Sequence, residues 1–120
     1  MGNRFLRLAV IYFLIGVSLG MAMAGSHNFK FTAVHAHINL LGWVSLALFG
    51  LFYKAVPAAE QSRLAHWHFW LYNIALPIQM ISLAMFIAGN AGVETVVAIS
   101  SAVVVLAFLF FAVNLFKHTR

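Results

Sequence analysis

An all-α membrane fold of four transmembrane helices, arranged up-down-up-down with both termini cytoplasmic, is what three observations in this chain predict. Hydrophobic residues make up 64% of the sequence and charged ones 8%, with a mean hydropathy of +0.98, which excludes a water-soluble domain. Four apolar stretches, 5–24, 33–56, 67–88 and 93–116, each reach the roughly 20 residues needed to cross a hydrocarbon core about 30 Å thick. The connections between them are short and rich in turn formers, so consecutive spans are antiparallel neighbours. Helices are the reading for each span because lipid offers no partner to an unpaired backbone N–H or C=O. No low-complexity tract or linker divides the chain, and residues 1–120 form one domain.

The first span follows Arg4 and Arg7 and ends in Ala22-Met23-Ala24, a pattern like a secretory signal with its cleavage site. Its apolar run exceeds the ~7–15 residues of a signal core, so it is read as a retained span. The opening Met-Gly is no myristoylation signal, since Leu6 stands where Ser or Thr is needed. Gly16, Gly20 and Ala24 recur every four residues and predict a stripe where another helix approaches closely. A turn over Gly25-Ser26-His27-Asn28-Phe29-Lys30 leads to the second span, which carries Val34-His35-Ala36-His37-Ile38-Asn39-Leu40-Leu41-Gly42-Trp43. Pro57 to Arg63 connects it to the third, whose Trp67 and Trp70 suit an interfacial aromatic belt and whose Pro77 predicts a kink. After Gly89-Asn90-Ala91-Gly92, the fourth span opens on Glu94, which complements the positive end of a helix dipole. Met21, Met23, Met80 and Met85 share no ligand spacing and read as flexible packing.

Loop charges orient the spans. Arg4, Arg7, Lys54, Arg63, Lys117 and Arg120 lie on the side of both termini and only Lys30 on the other, so the positive-inside rule places the termini in the cytoplasm of a bacterial-type inner (plasma) membrane. His27, His35 and His37 then lie at the outer face, and His66, His68 and His118 at the inner one. The sequence pI near 10.3 reflects this collar, whose partner is anionic lipid rather than nucleic acid. Cysteine is absent, which removes disulfides, thiolate ligands, iron–sulfur clusters and covalently attached c-type haem.

An ionisable pair at the mouth of a spanning helix is expensive to place and points to function, and neutral imidazole is a common haem-iron ligand. His35 and His37 are therefore the candidate ligands of a noncovalent haem b, with His27 nearby as a further metal ligand and copper open as a second metal. Residues two apart on a helix diverge by about 200°, so His35 and His37 face two partners rather than gripping one ion. Asn39 falls one turn from His35. Gly42, two turns along, leaves a notch for a flat macrocycle, with Trp43 and Phe49 to line it.

The run Val34 to Val44, continued by Phe49-Gly50-Leu51-Phe52-Tyr53 and Pro57, resembles the tenth helix of subunit I in haem-copper oxidases, particularly cbb-type oxidases and nitric oxide reductases. Trp67-His68-Phe69-Trp70 resembles the motif that opens the next helix of the cbb-type enzymes. The resemblance implies that His35 carries a high-spin haem and His37 a low-spin haem, and that His68 is structural. His66 and His68 lie across the bilayer from the pair and are read as packing residues, with a cytoplasmic-side metal site formed with His118 as the alternative. The implied function is that of a membrane-bound b-type haem protein in electron transfer or in binding nitric oxide or dioxygen. A non-catalytic accessory or assembly subunit of a respiratory oxidase and a metal-ion binding membrane protein are the alternative readings. Dioxygen reduction in the family draws on histidines from further helices, and no second H-x-H pair stands at the outer face here, which leaves enzymatic activity open.

The diverging pair also predicts a homo-oligomer in which neighbouring chains complete the haem pocket. In the family, subunit I resembles three four-helix arcs about a pseudo-threefold axis, so a cyclic trimer is expected ahead of a twofold dimer, with Gly16, Gly20 and Ala24 available for close packing. A redox partner or respiratory complex would complete its surroundings.

Overall fold

The computed structural model describes residues 1–120 and is helical almost throughout. Four helices are long and apolar enough to cross a membrane. The first is α1 (Gly2–Ser26). The second, Thr32–Ala55, is built from α2 (Thr32–His37), a π-helical segment (Ile38–Val44) and α3 (Ser45–Ala55). A single turn, α4 (Pro57–Glu60), precedes α5 (Arg63–Ile87), and a 3₁₀ turn (Ala91–Val93) leads into α6 (Glu94–His118). The predicted spans fall on these rods, except that each of the middle two stops one residue early, before Val56 and Ala88.

Local chemistry explains the breaks. Val56 precedes proline, which pushes it out of the helical region to φ −126° and ψ 77°, and Pro57 then starts α4 at a position that needs no N–H. Ser62 caps α5, its Oγ accepting the Ala65 N–H at 3.2 Å. α1 ends on His27 in the left-handed region at φ 56°, a C-cap more often filled by glycine. Pro77 does not interrupt α5, which runs unbroken past it, so the predicted kink is not a break.

The first two spans lie against each other in opposite directions, from Gly50 beside Leu6 at one end to Gly20 beside His35 at the other. α5 and α6 pair likewise, through Trp67 and Phe110 stacked at 6.3 Å and a hydrogen bond from Gln79 Nε2 to Ser101 Oγ at 2.8 Å. Aromatic side chains join the two hairpins: Phe5, Phe49, Tyr53, Tyr72 and Phe111 surround His68, which is fully buried. The Tyr53 hydroxyl lies 2.8 Å from His68 Nδ1, and the Phe49 ring centroid 4.4 Å from the imidazole.

This placement corrects one expectation: Phe49, expected to line a macrocycle pocket, is a core residue. His68 lies in the protein interior, as a packing residue does, while its neighbours Trp67 and Trp70 are 58% and 55% exposed. Exposed Leu14, Ile81 and Val105 belong to the apolar outer surface that lipid covers.

The end of the bundle remote from His35 is closed by polar contacts. Asn114 is fully buried, donating from Nδ2 to the Ala59 carbonyl at 3.0 Å and accepting the Ser62 hydroxyl at 3.0 Å on Oδ1. Glu60 Oε1 accepts the Gly2 N–H at 2.8 Å and pairs with the Met1 amine at 2.7 Å; that amine, then the Gly2 N–H, holds its carboxyl below the usual carboxylate range. Replacing Asn114 by leucine removes both of these bonds, while the Ser62 hydroxyl keeps the Ala59 carbonyl as a partner at 2.8 Å, and is expected to cost about 1–3 kcal/mol, read as a lowered midpoint in thermal unfolding of the detergent-purified protein.

Candidate functional site

The short helix α2 turns His35 toward α1, where its Nδ1 lies 2.7 Å from the Gly16 carbonyl oxygen. A carbonyl only accepts, so Nδ1 carries the proton and donates it, and in the neutral ring Nε2 keeps a free lone pair. Asn39 Nδ2 lies 3.2 Å from the same Nδ1 but donates to the His35 carbonyl at 2.9 Å, which leaves this tautomer undisturbed. The imidazole edge fits against Gly20, where a Cβ would come within 2.7 Å of Cε1, and Asn39 fits against Gly16 in the same way.

His37 is half-buried and anchored differently. Its Nδ1 donates to the Ala33 carbonyl one turn back at 2.7 Å, so its Nε2 also remains without a partner. One imidazole is thus tied across to α1 and the other to its own helix, and both are left in the tautomer that offers Nε2. Anchoring of the second ring nitrogen on a backbone carbonyl is a usual outer-shell arrangement for a metal-bound histidine.

Immediately after His37 the helix widens. Seven residues, Ile38–Val44, are π-helical, and the Ser45 N–H reaches back five residues to the Leu40 carbonyl. The Ser45 hydroxyl donates to the same oxygen at 2.7 Å, and the Leu41 carbonyl accepts the Tyr72 hydroxyl from α5 at 2.6 Å.

Three further expectations are corrected. The notch at Gly42 is filled by the Tyr12 ring, whose Cγ would lie 2.5 Å from a Cβ there, and Trp43 packs on Phe13 with centroids 5.0 Å apart. Gly16 and Gly20 are consumed within the chain by Asn39 and His35, so they do not offer a surface to another copy. His27 caps α1 with its side chain exposed and does not join His35 and His37; no group of three His, Cys, Asp or Glu residues is placed to hold a metal ion. An axial haem ligand requires a single nitrogen, a demand each of the two imidazoles meets separately.

Val34 and Ile38, which bracket the histidines, line a groove of about 430 Å³ with Leu8, Ile11, Pro77 and Met80. A second groove, about 470 Å³, lies between α5 and α6. Neither is lined by His35 or His37.

The sequence reading missed Tyr12, Tyr72 and the π-helical segment. For the contact with α1 a signal did exist: Gly16 and Gly20 share the four-residue spacing of His35 and Asn39, as antiparallel partners require. For Tyr72, 31 residues from Leu41, none did.

Residues 24–116 match the family described as Cytochrome C and Quinol oxidase polypeptide I. Cytochrome c oxidase subunit 1 of Rhodobacter capsulatus is 33% identical to the chain over 70 residues, which cover 53% of this chain and 13% of that relative. The chain therefore corresponds to a small part of the relative's length. No solved structure matches it.

Substituting Gly20 by valine is expected to drive His35 off the Gly16 carbonyl. The cost is about 1–3 kcal/mol in thermal unfolding, and ¹⁵N NMR should show the His35 Nδ1 resonance losing its hydrogen-bonded position. Gly25→Ala, where a Cβ meets nothing within 4 Å, serves as the silent comparison.

Proposed function

This chain belongs to the cytochrome c and quinol oxidase polypeptide I family, and on that footing we propose that it is a b-type haem protein of the bilayer, with His35 and His37 as axial ligands. The observation that carries the reading is the shared state of the two imidazoles: each Nδ1–H is engaged by a backbone carbonyl, and each Nε2 is unpartnered within the chain. Asn39 supports His35 from the turn below, and Gly42, by admitting Tyr12, lets α1 pack close behind Trp43. The donor set suits haem iron, which two imidazoles would make a low-spin electron carrier and one would leave open to nitric oxide or dioxygen.

The spans run up-down-up-down with both termini cytoplasmic in a bacterial-type plasma membrane, as the Lys and Arg distribution favours, and the histidine pair lies at the outer face. Because the two imidazoles diverge, one protomer does not clamp both sides of a macrocycle, and a second copy completes the site. A closed trimer gives three equivalent sites and is favoured over a dimer. The contact between copies lies on faces other than the Gly16–Gly20 stripe, which His35 and Asn39 already occupy.

Absorption spectra of the purified protein, oxidised and reduced, with and without nitric oxide, test the reading. His35→Ala and His37→Ala are each expected to lose haem or change its spin state while the protein still inserts, and unchanged spectra in both would refute ligation. His66→Phe is expected to leave the spectrum intact, since that ring stands at the start of α5, across the membrane from His35 and His37. Native mass spectrometry in mild detergent decides the assembly: a haem-loaded monomer refutes the composite site, and a dimer refutes the trimer.

A further inference from the structure

The π-helical segment begins at the residue after His37, and its geometry needs an explanation that its own sequence does not supply. Runs of π-helix are rare, and they recur at functional sites. In a regular α-helix the Ser45 N–H would donate to the Leu41 carbonyl. Here that N–H goes to Leu40, and the Leu41 oxygen instead accepts the Tyr72 hydroxyl at 2.6 Å, from a helix 31 residues away in sequence. The Ser45 hydroxyl, on Leu40 at 2.7 Å, strengthens the same register. In lipid no water is at hand to satisfy the displaced carbonyl, so the hydroxyl on α5 decides whether the wide turn is tolerable.

Tyr72 is well placed for this task. It is fully buried, and its ring is fixed between Phe49 and Phe108 at centroid distances of 5.2 and 5.4 Å, so its hydroxyl has a set direction. We propose that Tyr72, assisted by Ser45, is a positioning residue for the histidine pair: its hydroxyl holds the π-helical register at Leu41 and thereby sets the azimuth at which α2 presents His35 and His37. Each residue of register shift rotates the preceding helix by about 100° relative to α3. Such a turn would carry His35 away from the Gly16 carbonyl and change the direction of both Nε2 lone pairs.

The assignment rests on His35 and His37 being the ligands, and the two ideas are tested separately. The full chain, ¹⁵N-labelled at histidine and reconstituted in lipid bilayers without haem, is compared with Tyr72→Phe, which keeps the ring and removes the hydroxyl. Loss of the hydrogen-bonded His35 Nδ1 signal and a moved His37 signal are expected. Tyr53→Phe, which removes a hydroxyl from the same aromatic core, should leave both unchanged. Unaltered His35 and His37 signals in Tyr72→Phe, or equal shifts in Tyr53→Phe, would overturn the positioning role. If Tyr72→Phe does not accumulate, Ser45→Ala is read in the same way: a shift of the same two signals supports the register argument, and silence overturns it. With haem added, Tyr72→Phe should also shift the haem electron paramagnetic resonance spectrum, which reports axial imidazole orientation. A wild-type protein that takes up no haem defeats the ligand reading, whereas unmoved imidazole signals defeat the positioning one.

Discussion

The hydrogen bond from His35 Nδ1 to the Gly16 carbonyl links every level of this structure. It exists because α1 lacks a Cβ at Gly16 and Gly20, which lets an imidazole and an amide from the facing helix reach its backbone. It takes up the ring's only proton, so the same contact that packs the helices also selects the tautomer. In lipid, where a free imidazole N–H finds no water, such a bond has no ready replacement, and packing and ligand chemistry are set together.

The rest of the chain follows the same economy of polar groups. With 8% charged residues, each hydrogen-bonding side chain in the spans is scarce, and the structure uses them in two ways. Some return to their own helix, as the Ser100 hydroxyl does to Val96 at 2.7 Å and Asn73 Nδ2 to Phe69 at 2.8 Å, although the Asn73 Oδ1 stays without a partner. Others cross between elements: His35 to Gly16, Tyr72 to Leu41, Gln79 to Ser101, and Asn114 to Ala59. Dispersion drives helix contact in a bilayer but discriminates poorly among registers, and the crossing bonds supply that discrimination.

How much of this was legible in the sequence depends on the range of the interaction. Spans, loops and the histidine pair are encoded by runs of neighbouring residues, and they were read at nearly their observed limits. The small-residue stripe at Gly16 and Gly20 was also visible, but not its partner: a stripe says that something approaches, and only the fold says that it is His35 and Asn39. Gly42 misled for the same reason, since the space beside a glycine belongs to whichever side chain the topology brings there, and that is Tyr12. The π-helical segment was not legible, because its register depends on a hydroxyl from another helix and no local propensity announces it.

That dependence explains why the motif-bearing helix is only part of the unit. α2 and α3 could present His35 and His37 as an isolated span, yet the direction of those rings is set from both sides. α1 holds His35 at Gly16, and α5 holds the turn below it through Tyr72. α5 is in turn fixed by its pairing with α6 and by the aromatic cluster around His68, so the core at one end of the bundle stiffens the site at the other. Removing any one of the four spans would free a constraint on the imidazoles rather than merely reduce buried area. The family match extends from the end of α1 through nearly all of α6, well beyond the two histidine-bearing motifs of the middle spans.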